Sequence, residues 1–267
     1  MRERQSVPEG GPMRAKAVEG IAMMRLLRRP TFILSTVRSG STLLRCLMNS
    51  HSRVCAPSEL HLGSIQVRVE GEHGQLAMDV HDLPIRELEY MLWDQVLARL
   101  LQRSRKDYLI EKTPANVKIV PRLVECWPDA KFIVLRRNPA AIVESIVANG
   151  HTRPRALTVV TEAVIRLDEV ALHLSAHEIT YEGLLQDPRN VLAETCEFVG
   201  VVFEPSMMAY GDFDHGTFEY GIGDWGKQIR SGRVQSARRV LEPAEPELLD
   251  LCQRWGYYTD TSTVAPA

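Results

Sequence analysis

From residue 30 onward, short apolar runs alternate with longer amphipathic stretches, the pattern of a parallel sheet joined by crossover helices. Residues 31–35 (Thr-Phe-Ile-Leu-Ser) are the first expected buried strand, followed by 54–56, 108–110, 132–135 and 178–181. Several of these runs end in polar or Gly/Pro-containing turns, which suits strands whose carboxyl edge carries a site. Between them, 42–49 sets Leu43, Leu44, Leu47 and Met48 on one helical face. A longer helix over 85–103 is read with Leu88, Met91, Leu92, Val96, Leu100 and Leu101 as its apolar stripe, and another over 156–174. Residues 206–233 have no sustained period and many glycines, and are expected to form a long mobile cover over a site. The expectation is one α/β domain over 29–267, behind a loosely ordered leader over 1–28.

Composition narrows the function. Hydrophobic residues make up 45% and charged residues 25% of the 267-residue chain, enough for a full core. The formal net charge of −2 supplies no global field for nucleic acid, so a bound anion must be held by a local site. Cys46, Cys55, Cys126, Cys196 and Cys252 are scattered, odd in number and without a C-x-x-C pair. This argues against a zinc ribbon or disulfide framework and fits a reducing compartment. Residues 1–29 lack the apolar core of a signal peptide, and no stretch approaches the roughly 18 apolar residues of a membrane span. A cytoplasmic protein without a membrane span is expected.

The segment Ser35-Thr36-Val37-Arg38-Ser39-Gly40-Ser41-Thr42 joins the first strand to a helix, an arrangement that turns backbone N–H groups towards an anion. Gly40 allows close approach of the backbone, Ser41 and Thr42 add hydroxyl donors, and Arg38 adds a guanidinium fork. A plain turn with a Ser or Thr N-cap is an alternative reading. So is a nucleotide kinase loop, G-x-x-x-x-G-K-[ST], but the first Gly is missing and Ser41 stands where its Lys would be. The strand over 132–135 then runs into Arg136-Arg137, where a metal-holding Asp would be expected. The loop is therefore read as one for phosphate without a metal.

Arg38-Ser39-Gly40-Ser41-Thr42-Leu43-Leu44 resembles the 5′-phosphosulfate loop of sulfotransferases that use 3′-phosphoadenosine 5′-phosphosulfate (PAPS). That resemblance implies a P-loop NTPase-like three-layer α/β fold, with a central, mostly parallel sheet flanked by helices. It also implies metal-independent sulfuryl transfer to a hydroxyl and release of adenosine 3′,5′-bisphosphate. A second anion site is then required. Asn138 and Pro139 suit a helix N-cap and first turn, and Ser145 lies about two turns further along nearly the same azimuth. Arg137 and Ser145 can thus reach a common phosphate, and their spacing resembles the family's 3′-phosphate motif. Tyr181-Glu182-Gly183-Leu184 resembles the family's Tyr-Glu-Asp-Leu segment, which puts Tyr181 near the adenine, although a core strand position is an alternative. In the late basic loop near Gly223-Asp224-Trp225, the resemblance points to Ser231, Gly232 and Arg233, with Lys227 and Arg230 competing.

Sulfuryl transfer needs a base near the acceptor hydroxyl and a cation near the leaving phosphate. Glu59 follows Pro57 at the sheet edge, and its position resembles the catalytic Glu of the tyrosylprotein branch and its bacterial relatives. A surface carboxylate, or one paired with Arg38, is the structural alternative. His61 is the second choice for the base, with His81 and His215 behind it. Lys112, in Glu111-Lys112-Thr113-Pro114, resembles the bacterial Lys-Thr-Pro segment and is the expected cation. The acceptor is expected to be a small-molecule hydroxyl, as on a secondary metabolite or glycolipid; a peptide tyrosine and a carrier-tethered chain stay open. A P-loop-type kinase and a nucleotide-binding protein without transfer are the rival functions.

Overall fold

The computed structural model describes residues 25–219, 222–223, 226–236 and 242–258. In chain order its regular elements are β1 (Thr31–Ser35), α1 (Ser41–Asn49), β2 (Val54–Cys55), α2 (Glu72–Val80), α3 (Ile85–Ser104), β3 (Tyr108–Glu111), α4 (Val120–Cys126) and β4 (Lys131–Arg136). They continue with α5 (Pro139–Ala148), α6 (Arg153–Ala171), β5 (Ala176–Thr180), α7 (Tyr181–Gln186), α8 (Pro188–Val199), α9 (Lys227–Arg230) and α10 (Pro246–Arg254). The five strands form one parallel sheet in the order β2-β3-β1-β4-β5.

All of β1 is buried, because both faces of the sheet are covered and no strand position in its centre faces water. Ile33, Ile133 and Leu135 pack on α1 and α8, while Phe32, Leu34, Phe132 and Val134 pack with Trp93, Trp127 and Leu167 on the other face. A third cluster joins α5, α6 and α10 through Ile142, Val160 and Leu251. The chain leaves β1 towards β2 on one side and later places β4 on the other. The carboxyl end of β1 is therefore a switch point, where the crevice of an open parallel sheet forms. Among the described residues, no helix is long and apolar enough to cross a membrane.

Four expectations change. Tyr181 leaves the fifth strand and opens α7, because the Thr180 hydroxyl accepts from Gly183 N–H and caps the helix there. The inward face of α3 is Tyr90, Trp93, Asp94 and Leu97, and Met91 and Leu92 turn outward at 50% and 39% exposure. Trp93 and Asp94 decide that rotation: the Trp93 indole donates to Ile65 C=O, and Asp94 accepts from Trp127 Nε1. The leader's residues 1–24 lie outside the described residues, and the chain at 25–27 is bonded to the domain. Arg25 makes a bidentate pair with Glu87, and Asp94 accepts from Leu26 and Leu27 N–H at 2.6 and 3.1 Å. The described part of the expected cover is also built: a 3-10 helix over Pro205–Asp212 packs on α9, and Gly211 and Gly232 meet backbone to backbone. Asp224 and Trp225 lie outside the described residues.

Asp94 is buried and serves three N–H donors from two segments. Asp94→Ala is expected to lower the unfolding free energy by about 2–4 kcal/mol, read as a lower urea midpoint with an unchanged slope. An unchanged midpoint would mean that this carboxylate does not hold residues 25–28 to the domain.

Candidate active site

The carboxyl edge of the sheet collects the chemistry. Residues 36–42 leave β1, Glu59 follows β2, Lys112 follows β3, Arg137 follows β4 and Tyr181 follows β5. They surround a cavity of about 1340 Å³ lined by Arg38, Gly40, Thr42, Glu59, Arg137 and Tyr181, among others.

The turn after β1 holds two left-handed residues, Arg38 at φ 61° and Gly40 at φ 88°. Gly40 is the N-cap of α1 and offers no side-chain cap, so no side chain of its own covers the positive end of the helix, which faces the cavity. A side chain is excluded at this position: a Cβ on Gly40 would lie 2.2 Å from Tyr181 Cδ2. The Tyr181 ring is itself covered by the Arg137 guanidinium, 4.5 Å from its centroid. The hydroxyls of Ser35, Thr36 and Ser39 are buried and lack a hydrogen-bond partner, as does Arg137 Nε. Buried polar atoms are seldom left so, and their concentration around one turn marks a place for an acceptor-rich ligand.

The two basic side chains converge. Arg38 Nε donates to Ser145 Oγ at 3.2 Å, and Arg137 Nη1 donates to Arg38 C=O at 2.7 Å. Arg38 was expected in the first phosphate loop; the structure turns its guanidinium to Ser145 instead, with Arg137, making one subsite of Arg38, Arg137 and Ser145. The left-handed backbone at Arg38 accounts for this, since it aims the side chain across towards α5 rather than along α1. Burial pulls the Arg137 guanidinium down from its ordinary pKa, with Tyr181 and Glu182 acting against it. Ser41, Thr42 and Leu43 line the cavity at the other subsite, while Ser39 is fully buried beneath the turn.

Beside the start of α1 lies a charge pair. Lys112 Nζ bonds Glu59 Oε1 and donates to Thr42 Oγ1 at 3.3 Å. The lysine side chain is fully buried and that of Glu59 is 12% exposed. Burial pulls the Lys112 ammonium down from its ordinary pKa, and Glu59 pulls it back. His61 stands at the rim, its Nε2 3.6 Å from Glu59 Oε2. The structural alternative of a Glu59–Arg38 pair does not hold: the partner of Glu59 is Lys112. Glu59 N–H also bonds Ile222 C=O at 3.4 Å, and Gly223 sits over Thr42.

Sequence reasoning missed the pillar beneath this pair. Glu111 is fully buried and accepts from Thr113 Oγ1 at 2.6 Å, from Asn116 Nδ2, and from Leu60 N–H at 3.3 Å. Thr113 Oγ1 in turn accepts from Leu60 and His61 N–H, both at 3.2 Å. Burial pushes the Glu111 carboxyl up from its ordinary pKa against those donors. The signal was present as Glu111-Lys112-Thr113-Pro114-Ala115-Asn116, in which only the lysine was given a role. Glu182 was missed as well: it accepts from Asn138 N–H and from Tyr257 OH, and so ties the end of the chain to the start of α5.

The three residues expected from the late basic loop are placed differently. Arg233 lines the cavity, with Gln228 and Ile229, but Ser231 and Gly232 do not. The Ser231 hydroxyl is spent on Gln228 C=O, and Gly232 is taken up by its contact with Gly211. The exposed Arg230 donates to Phe218 C=O rather than lining the cavity. His215 is a buried structural residue, its Nε2 on Tyr210 C=O, and His81 ends the solvent-exposed α2. All five cysteines are buried and none is in a disulfide, and no His/Cys/Asp/Glu cluster among the described residues could hold a metal ion.

Gly40→Ala is expected to cost about 1–3 kcal/mol, because it combines a left-handed backbone with a collision against the Tyr181 ring. Thermal denaturation without ligand checks this, and an unchanged midpoint would mean that the ring moves away freely.

A family model described as "Sulfotransferase family" matches residues 30–205. Among solved structures, the sulfotransferase domain from the curacin biosynthetic pathway superposes with a TM-score of 0.63 at 24% identity, covering 86% of this chain and 98% of that one. The sulfotransferase domain from the Synechococcus PCC 7002 olefin synthase gives 0.64 at 23% identity, covering 87% and 97%. At this identity the likeness is one of fold. An uncharacterized protein of Aquifex aeolicus (strain VF5) is 25% identical over 231 residues, 79% of this chain and 30% of the relative. Nodulation protein NoeE of Sinorhizobium fredii (strain NBRC 101917 / NGR234) is 31% identical over 127 residues, 43% of this chain and 30% of the relative. The chain thus aligns with under a third of the length of either curated relative. The late loop at 231–233 lies beyond the residues that the family model matches.

Proposed function

The chain belongs to the sulfotransferase family, and from that premise we propose that it moves the sulfuryl group of PAPS to the hydroxyl of a small-molecule acceptor without a metal ion. The observation that carries this reading is the Lys112–Glu59 pair held against Thr42 at the start of α1. A cation and a carboxylate at that point answer the two demands of the reaction.

The residues present fit the co-substrate. The uncapped start of α1, with Gly40, Ser41 and Thr42 on the cavity wall, suits the 5′-phosphosulfate. Arg38, Arg137 and Ser145 suit the 3′-phosphate, Arg137 having a free Nε to offer. Tyr181, Ile229 and Arg233 form the wall available to the adenosine. When bound, PAPS supplies the activated sulfuryl group. Glu59 takes the acceptor's proton, and Lys112 neutralises charge on the leaving phosphate oxygen. The Lys112 contact with Thr42 holds the ammonium at the helix start, and the Glu111–Thr113 pillar fixes the backbone next to Glu59. The cavity of about 1340 Å³ exceeds the roughly 300–1,000 Å³ typical of a single small ligand, which supports a small acceptor held together with the nucleotide.

PAPS-dependent transfer in the presence of EDTA is the expected outcome, and a requirement for Mg²⁺-ATP would overturn the proposal in favour of a kinase. Glu59→Gln is expected to lower kcat about 10²–10⁴-fold and Lys112→Ala about 10²–10³-fold, with adenosine 3′,5′-bisphosphate binding retained in the first. If His61→Gln abolishes turnover while Glu59→Gln does not, the base is His61. Arg137→Ala is expected to weaken adenosine 3′,5′-bisphosphate at least tenfold by calorimetry, the scale of one charge-assisted contact of about 1.4 kcal/mol or more.

A further inference from the structure

Arg45 lies on α1, one turn below the Ser41-Thr42 start of the helix, and is 2% exposed. Its Nη1 donates to Ala56 C=O at 3.0 Å and to His215 C=O at 3.2 Å, and its Nη2 faces Cys46 Sγ at 3.4 Å. Its Nε is buried without a hydrogen-bond partner, and among the described residues it forms no ion pair. A buried guanidinium is costly unless something compensates it. Here the compensation is two carbonyls and the face of the Phe218 ring, 5.8 Å from the guanidinium carbon. Ala56 begins the stretch that leads through Pro57 to Glu59, so one of those bonds anchors the backbone carrying the proposed base.

We propose that Arg45 is a positioning residue of the transfer site, whose buried charge and carbonyl bonds set both the place and the charge balance of the Lys112–Glu59 pair. The inference rests on the functional reading above. Lys112 is faced by Glu59 from the loop after β2, by Thr42 and Arg45 from α1, and by Glu111 from its own strand, with His61 beyond Glu59. Arg45 is faced by Glu59, Cys46 and His215, and His215 in turn by Asp214 and Lys106. Burial and Arg45 both disfavour the ammonium form of Lys112, and Glu59 favours it. His215, which burial already pulls below its ordinary value, is neutral through the alkaline range and adds no charge change there.

The sign follows. Lys112 works as an ammonium, so affinity for a 5′-phosphate and turnover both fall as pH rises through its titration. Removing a neighbouring positive charge strengthens its hold on the proton and moves that fall to higher pH.

The experiment measures adenosine 3′,5′-bisphosphate affinity by calorimetry, and kcat/KM with PAPS, across pH 6 to 10.5 (a range set on the order of the Lys value). It compares the wild type, Arg45→Gln, Arg45→Met and Arg45→Lys. Both neutral variants are expected to shift the alkaline limb upward by about one pH unit, and Arg45→Lys to leave it in place while lowering kcat through the lost second carbonyl bond. Arg45→Gln retains a donor for Ala56 C=O and serves if the Met variant does not fold. A lower rate with an unmoved limb in the neutral variants would reduce Arg45 to a packing residue and overturn the inference. Wild-type protein that neither binds the bisphosphate nor transfers sulfate would overturn the functional reading instead.

Discussion

The buried ammonium of Lys112 is the charge around which the carboxyl edge of the sheet is organised. An ammonium removed from water costs several kcal/mol unless partners replace its hydration, and this one is fully buried. Glu59 and Thr42 are those partners. The first fixes where the loop after β2 must run, and the second fixes where α1 must begin. Neither segment is adjacent to β3 in sequence, so one side chain ties three consecutive crossovers of the fold to one point.

A pair so placed would be loose if its supports were loose. The Glu111–Thr113–Asn116 group removes that freedom by satisfying two consecutive backbone N–H groups, at Leu60 and His61, from a carboxyl and a hydroxyl with no exposure to water. A neutral Glu111 would donate as well as accept, and burial biases it in that direction. The donors from Thr113, Asn116 and Leu60 act against that bias and hold the Glu111 carboxyl in place beside the Lys112–Glu59 pair. Arg45 supplies opposite charge on the remaining side. The site is therefore cation-rich in its interior while the whole chain carries a net charge of −2.

Much of this was legible in the sequence because parallel strands buried on both faces read as apolar runs, and their carboxyl ends read as changes of composition. β1, β3 and β4 were expected within a residue or two of where they stand, and so was the Asn138–Pro139 helix start, where Asn138 Oδ1 accepts from Ala140 and Ala141 N–H. The rotation of α3 was not legible. Its six expected apolar positions satisfy a helical period as well as Tyr90, Trp93 and Leu97 do, and only the partners of Asp94 and Trp93 choose between the two faces. The end of β5 was misread for a similar reason: Thr180 and Tyr181 both favour strands, and a side-chain cap on Gly183 outweighs that preference. Ser231 and Gly232 were expected from a resemblance alone, and in the described loop they meet Gln228 C=O and Gly211.

The direction of Arg38 bears most on how the two subsites cooperate. Arg38 and Gly40 share one turn, yet Gly40 opens the start of α1 while Arg38 reaches Ser145 on α5. Their backbone is coupled through Arg137, which bonds the carbonyl of Arg38 and covers the Tyr181 ring that presses on Gly40. A ligand with a single phosphate engages only one end of this chain of contacts. A ligand with phosphates at both ends of a nucleoside engages Gly40, Arg38 and Arg137 together, and the left-handed strain at Arg38 is then compensated by two sets of contacts rather than one. Under the proposed function, the turn would discriminate by the number and separation of anionic groups, and the base of the nucleotide would fill the wall that Tyr181 and Ile229 leave open.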